Sequence, residues 1–461
     1  MKKLLLIVCT VVLLTLFLSG SFGSTPSSYT KTDEFTINGS KKTVKSVWTD
    51  LKDPTIRVEE VLANGRVGAV DSLKDIANSV DDADSTVLAA INGTFFNAYA
   101  DLQPSGTLQV KGEMVHISNS GSVFGVDGDN QCVIQPLYVN IEGSINGSWV
   151  WPNNWGAWNI NHVITNPSSI VIFTPDFGTK TSVHTMTSIV VDKNIVTQIV
   201  QGQATIPANG FVVVLGGPGE ISKFKVGDTV EYKLSYFEDT NDSTNHTDTE
   251  ISWENMRSSV GAGPTLLLDK EIVLDAEAEG FTEPKIIMNR AGRSFIGVTD
   301  QNVLVMGVVS NVNMAELAQI TQLMGLKDAM NLDGGASSGL LFKNNYIQQP
   351  GRELSNALVI KQYTKRPLRV LLNEQELFFD VDPMIDTSNR TLVPMRKIFE
   401  ALGATVSWNN ATQMIVAQRD GTIIELKTNS NVAIVNGQEI TLDSAVIVKE
   451  NRSLVPVRFI T

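Results

Sequence analysis

This 461-residue sequence predicts an α+β fold: a mixed, largely antiparallel sheet domain followed by a small α+β accessory domain. Three observations predict it. From about residue 46 to 363, β-branched runs alternate with short polar turns. Helical periodicity is rare over the same span. After "KQYTKRP" the composition changes and an internal repeat begins.

"SIVVDKNIVTQIV", "PTLLLDKEIVLD" and "SFIGVTDQNVLVMGVV" each place a polar turn between two strand-like runs and are expected as hairpins. The clearest helix is "NMAELAQITQLMGL", where Leu317, Ile320 and Met324 share a face and Gly325 stands near the stop. Directly after it, "AMNLDGGASSG" puts Asp333 ahead of a Gly-Gly pair and two serines. On its own this reads as a hairpin turn, because Asp-Gly is a common turn pair.

The ends of the chain carry other expectations. "MKKLLLIVCTVVLLTLFLSGSFGS" has two lysines, an apolar run too short for a membrane span and small residues at its close, so residues 1–23 are expected to be a cleaved secretory signal. Cys9 would leave with it, and Cys132 alone allows no internal disulfide, which suits a bacterial envelope protein. Residues 24–45, rich in Ser, Thr and Lys, are expected to be an exposed lead-in. The linker is placed at 364–367. In the segment from 368 to 461, "NRTLVPMRKIF" at 389 recurs as "NRSLVPVRFIT" at 451, an offset of 451 − 389 = 62. The second copy stops where the first continues into its helix, so it is expected to lack a partner for its apolar face.

The net charge of −13 disfavours nucleic acid and anionic membrane surfaces as partners. His116, His162, His184 and His246 show no metal-binding spacing. No cofactor is expected, although a hard cation could bridge Asp333 and a phosphate oxygen. "SWVWPNNWGAWNINH" holds Trp149, Trp151, Trp155 and Trp158, four of the seven tryptophans. Its Pro, Asn and Gly residues break regular structure, so Trp155 and Trp158 are candidates for stacking on sugar rings.

Six stretches in order change the weight of the Asp-Gly-Gly motif: "AAINGTFFN" (89–97), "IPANGFVVVLGGPGE" (206–220), "VGAGPTLLLDKEIV" (260–273), "NRAGRSFIGVT" (289–299), "MNLDGGASSGLLF" (330–342) and "GRELSNALVI" (351–360). Together, over roughly 85–362, they resemble the phosphodiester glycosidase family. The segment after the linker resembles the N-terminal domain of copper amine oxidases, yet it contains no His or Cys, so a copper site is not expected there.

The first resemblance implies hydrolysis of a sugar-1-phosphodiester by a secreted or cell-surface bacterial protein. Phosphate is already a good leaving group, so one carboxylate could suffice where ordinary glycosidases use two. Asp333 is the candidate for it, and Arg293 with Arg290 the candidate clamp for the phosphate. Asn92, Gly93, Gly263, Asn331, Gly334, Gly335, Ser337 and Ser338 are the expected substrate-binding residues. Ala336 stands where the family often has a third glycine, and Ser294 where it often has threonine. The accessory domain is expected to attach to cell-wall polymer. The competing expectation is a glycan-binding surface protein without catalysis.

Overall fold

The computed structural model describes residues 27–163, 166, 168–182, 185–238, 249–409 and 412–460. The expected signal segment, Cys9, His184 and His246 lie outside the described residues. Two compact units divide the chain, Gly23–Lys365 and a second built from Arg366–Thr461.

Strand accounts for 49% of the structure and helix for 11%, so the chain is mostly β with few helices. Among the described residues the pairings are antiparallel except one, Asn159–Ile160 with Val171–Phe173. The three expected hairpins form: Thr187–Asp192 with Ile195–Gln201, Thr265–Leu268 with Glu271–Ile272, and Ala291–Val298 with Val303–Val312. The helix spans Met314–Leu323, with Leu317 and Ile320 buried. Asn313 and Glu316 close a capping box at its start, which satisfies backbone donors that the first turn leaves free.

Residues 28–45 differ from expectation. Ser28–Ile37 and Ser40–Asp50 form a hairpin that joins the seven-stranded sheet through Val303–Val312. The Ser, Thr and Lys residues read as lead-in alternate along its outer strand, whose exposed face keeps them in water while Ile37 and Val44 enter the core.

Two sheets position the candidate site. One contains Ala291–Val298, Asp328–Asn331 and Thr265–Leu268 side by side. The other contains Leu340–Phe342, Ser85–Asn92, Asn356–Tyr363 and Ile56–Leu62. A shared core that includes Ile91, Met330, Leu332, Leu340 and Leu358 lies between them. The segment 332–339 leaves the first sheet and enters the second, so the Asp-Gly-Gly stretch is a crossing between sheets and not a hairpin turn.

In the second unit the two repeat copies are each other's partners. Thr391–Pro394 pairs antiparallel with Arg452–Pro456, matching Leu392 with Pro456, Val393 with Val455 and Pro394 with Leu454. Each strand then turns into a helix, Met395–Ala401 and Val457–Ile460. Leu454 and Val455 are fully buried, so the second copy does not leave its apolar face open. An offset that suggested a missing partner is explained by pairing between the copies.

Candidate active site

Asn92, at the end of Ser85–Asn92, ties the crossing together. Its Nδ2 donates to the Asp333 carbonyl at 2.7 Å, and its Oδ1 accepts from Ser294 Oγ at 2.7 Å and from the Gly339 amide at 3.0 Å. One buried side chain thus holds both ends of the crossing and the neighbouring strand. The Asp333 amide in turn donates to the Gly93 carbonyl. Gly93 is required by contact: a Cβ there would lie 1.7 Å from Asn356 Oδ1, the same atom that accepts from the Thr94 amide at 3.0 Å.

Asn331 is fully buried one strand position before the crossing and donates to the Gly263 carbonyl at 2.7 Å. Gly263 returns its amide to the Asn331 carbonyl and sits at φ +111°, a conformation most side chains resist. Gly334 and Gly335 follow Asp333, with Gly335 exposed, and Ser337 and Ser338 are buried at the end of the 3-10 turn Gly335–Ser337, ahead of the strand Leu340–Phe342. Ser338 Oγ, Thr94 Oγ1 and Asn331 Oδ1 are buried without a hydrogen-bond partner. Such groups can take up a ligand's hydroxyls at little further desolvation cost.

The Asp333 carboxyl receives the Gly334 amide at 2.8 Å. Burial pushes it up from 3.8 to about 6, against the downward pull of the Ser337 hydroxyl, the Gly334 N–H and the positive charges of Arg352 and Lys285. At neutral pH it is therefore largely ionised yet basic enough to take a proton.

Arg352 is the cation that sequence reasoning missed, although it lies inside the quoted "GRELSNALVI". The Gly351 amide donates to the Ala336 carbonyl at 2.7 Å, which fixes the residue before Arg352 against the crossing. Arg352 Nη2 donates to Tyr99 Oη at 3.0 Å, and its guanidinium lies 5.1 Å from that ring's centroid. Tyr99 itself is 90% exposed.

The expected Arg290 and Arg293 clamp does not form. Arg290 makes a two-pronged pair with Glu316, at 2.5 and 2.6 Å, and so locks the helix cap. Arg293 is buried, its Nη2 shared among the Lys285, Ile286 and Asn289 carbonyls and its Nε directed to Val312 O at 3.4 Å. It still faces the crossing: its Nη1 lies 3.6 Å from the position of a Cβ on Gly334, and the Asp333 charge counters the effect of burial on its guanidinium.

Trp155 is corrected as well. It is 5% exposed, its indole covers Gly143, and its Nε1 donates to Ser144 O at 3.3 Å. Trp158 is 72% exposed. Trp155 lies within the strand Asn154–Ala157 on its core-facing side, whereas Trp158 follows the strand's end in a bend.

His116 is buried and bonded at both nitrogens, to Gly106 O at 2.7 Å and His162 Nδ1 at 3.0 Å. A carbonyl only accepts, so Nδ1 carries the proton and Nε2 accepts from His162. Burial and the neighbouring His162 push His116 down to about 3, so His116 is neutral and ties the end of the hairpin Leu108–Val110 with Glu113–His116 to Gly106. Among the described residues no group of three or more His, Cys, Asp or Glu gathers as a metal site.

Comparison with known proteins matches a segment of each unit to a family model. Residues 185–361 match the phosphodiester glycosidase model and residues 371–461 the copper amine oxidase N-terminal domain model. The second segment is also similar to the primary amine oxidase of Klebsiella aerogenes, 34% identical over 73 residues, which is 16% of this chain and 10% of that enzyme. A hypothetical protein from Synechocystis shares the fold at a TM-score of 0.63 and 21% identity, over 73% of this chain and 62% of that one. A protein from Burkholderia pseudomallei, named as exported, does so at 0.56 and 17%, over 69% of this chain and 74% of that one. "AAINGTFFN" precedes the matched segment, yet its Asn92 is bonded to the Asp333 turn within it. The chain therefore carries a phosphodiester glycosidase domain followed by a copper amine oxidase N-terminal domain.

Proposed function

We propose that the first unit hydrolyses a sugar-1-phosphodiester outside the cell, and that the second anchors or spaces it on cell-wall polymer. The observation that carries this reading is the Asp333 carboxyl, held at the crossing of two sheets with Arg352, Lys285 and Arg293 close enough to interact with its charge. A phosphodiester is an anion, and a carboxylate beside it is tolerable only where cations balance both.

In the proposed reaction water attacks C1 of the sugar. The water oxygen bonds to C1, its proton passes to Asp333, and the C1–O bond breaks with its electron pair leaving on the phosphate monoester. Asp333 also faces the positive charge that develops at C1. Arg352 would leave Tyr99 to take the phosphate, with Arg293 behind it, while Asn331, Thr94 and Ser338 offer polar atoms to sugar hydroxyls. The family match supports the reaction class.

The test is turnover of the purified chain on a panel of sugar-1-phosphodiesters in oxygen-18 water. Label in the released sugar is expected. Label in the phosphate would place the attack at phosphorus and remove Asp333 from the assigned role. No turnover of any substrate by folded protein would defeat the proposal.

A further inference from the structure

A second surface lies on the outer face of the sheet made by Cys132–Ile145, Asn154–Ala157 and Val230–Glu238. Its inner face, with Ile141, Trp155, Val230 and Tyr236, belongs to a core cluster. On the outer face Lys233 pairs with Glu142, and Glu142 with Gly156, so these three form one row across the strands. Lys233 and Glu142 make an ion pair at 3.0 Å, and the Lys233 ammonium lies 5.0 Å from the Trp149 ring centroid. One side of that indole is thus held by a cation while 38% of the residue stays exposed. Gly156 leaves the end of the row open, since a Cβ there would meet only Ile141 O at 3.3 Å. Two residues on, just past the end of that strand, Trp158 is 72% exposed, and Trp151, in the loop between the first two strands, is 80% exposed.

Indoles so exposed leave large apolar faces in water. Two strand spacings separate Lys233 from Gly156, about 10 Å, and two residues carry the chain a further ~7 Å to Trp158. Trp149 thus stands at the Lys233 end of a polar row and Trp158 beyond its Gly156 end, a span of short-oligosaccharide length.

We propose that this face binds a neutral pyranose chain, independently of the Asp333 site. A pyranose ring presents C–H faces to indoles and hydroxyls around its edge, and the surface presents indoles around a donor and an acceptor, Lys233 and Glu142. The charges of the row cancel, which favours a neutral sugar over a polyanion. A membrane-inserting patch would instead carry surplus cations around an apolar centre. A protein-binding core would be depleted of charge at its middle.

The experiment titrates the Asp333→Asn chain, which cannot consume ligand, with neutral tetrasaccharides of glucose, mannose, galactose and N-acetylglucosamine, read by tryptophan fluorescence and calorimetry. Saturable binding of at least one is expected. Trp158→Ala and Trp149→Ala should each weaken it tenfold or more without lowering the melting temperature, and Glu142→Gln severalfold. Absence of binding, or binding indifferent to both tryptophans, overturns the proposal. Binding of anionic lipid vesicles, or self-association, lost in the same variants with no sugar bound would assign the face to those partners and overturn it too. An enzymatically inactive chain that still binds sugar through these tryptophans would count against the hydrolase reading alone.

Discussion

Asn92 Nδ2 donates to the backbone carbonyl of Asp333 at 2.7 Å, joining residues 241 apart in sequence. The same side chain accepts from Ser294 and Gly339, so its amide hydrogen and its oxygen both matter. Asn92→Asp keeps shape but cannot donate, and it sets a carboxylate against a carbonyl oxygen. It should cost about 2–3 kcal/mol of stability and lower activity with it. An unchanged denaturant midpoint would mean that the crossing is held by other contacts.

Asp333→Asn should lower turnover by a hundredfold or more with the fold intact, because it removes charge and basicity at nearly constant volume. In the parent chain kcat/KM should rise with pH to a plateau, with its midpoint near the Asp333 value of about 6. The stability effect has a definite sign. The folded-state value is raised above 3.8, so the carboxyl contributes stability that is full below about 4 and is lost as pH rises through about 6. The parent chain should therefore lose stability relative to Asp333→Asn across that window. A flat difference between the two would refute the shift.

Arg352→Ala should reduce kcat/KM on phosphodiesters at least tenfold and move the pH midpoint upward, because its charge favours the ionised carboxyl. Arg290→Ala should leave both kinetic quantities near the parent's. Its cost falls on stability, about 1–2 kcal/mol, as buried Glu316 loses its partner while Arg290 itself is partly solvated. Kinetic loss with Arg290→Ala alone would restore the arginine pair expected from the sequence.

Trp155→Ala and Trp158→Ala should separate cleanly in thermal unfolding. The first empties a site in the core and should cost about 3–5 kcal/mol; the second should stay within about 0.5 kcal/mol. Equal losses would contradict the burial that leaves 5% exposure at one and 72% at the other.

In the second unit Val455 opposes Val393 across the two repeat copies, and both are fully buried. Val455→Ala should cost about 2 kcal/mol in that unit's unfolding transition and leave the first unit's transition in place. No change would mean that the copies do not share a core.

What the sequence determined by itself was local. Alternation of β-branched residues and polar turns specified the three hairpins, because the two-residue period depends only on neighbours along the strand. The helix was legible from its apolar spacing and from Gly325 near its stop. Gly93, Asn331 and Asp333 stood out only through the resemblance that six ordered motifs carry, since Asp-Gly by itself reads as a turn. What the tertiary structure decided was which distant groups meet. Arg290 and Arg293 are close in sequence but part because Glu316 captures one and a ring of carbonyls the other. Arg352 reaches the site through the Gly351 bond to Ala336, a contact with no local signature. The repeat copies looked like successive units, and only strand pairing made them halves of one core. The physical reason is common to all three: propensity and periodicity act over a few residues, whereas ion pairing, cross-strand bonding and burial act through space.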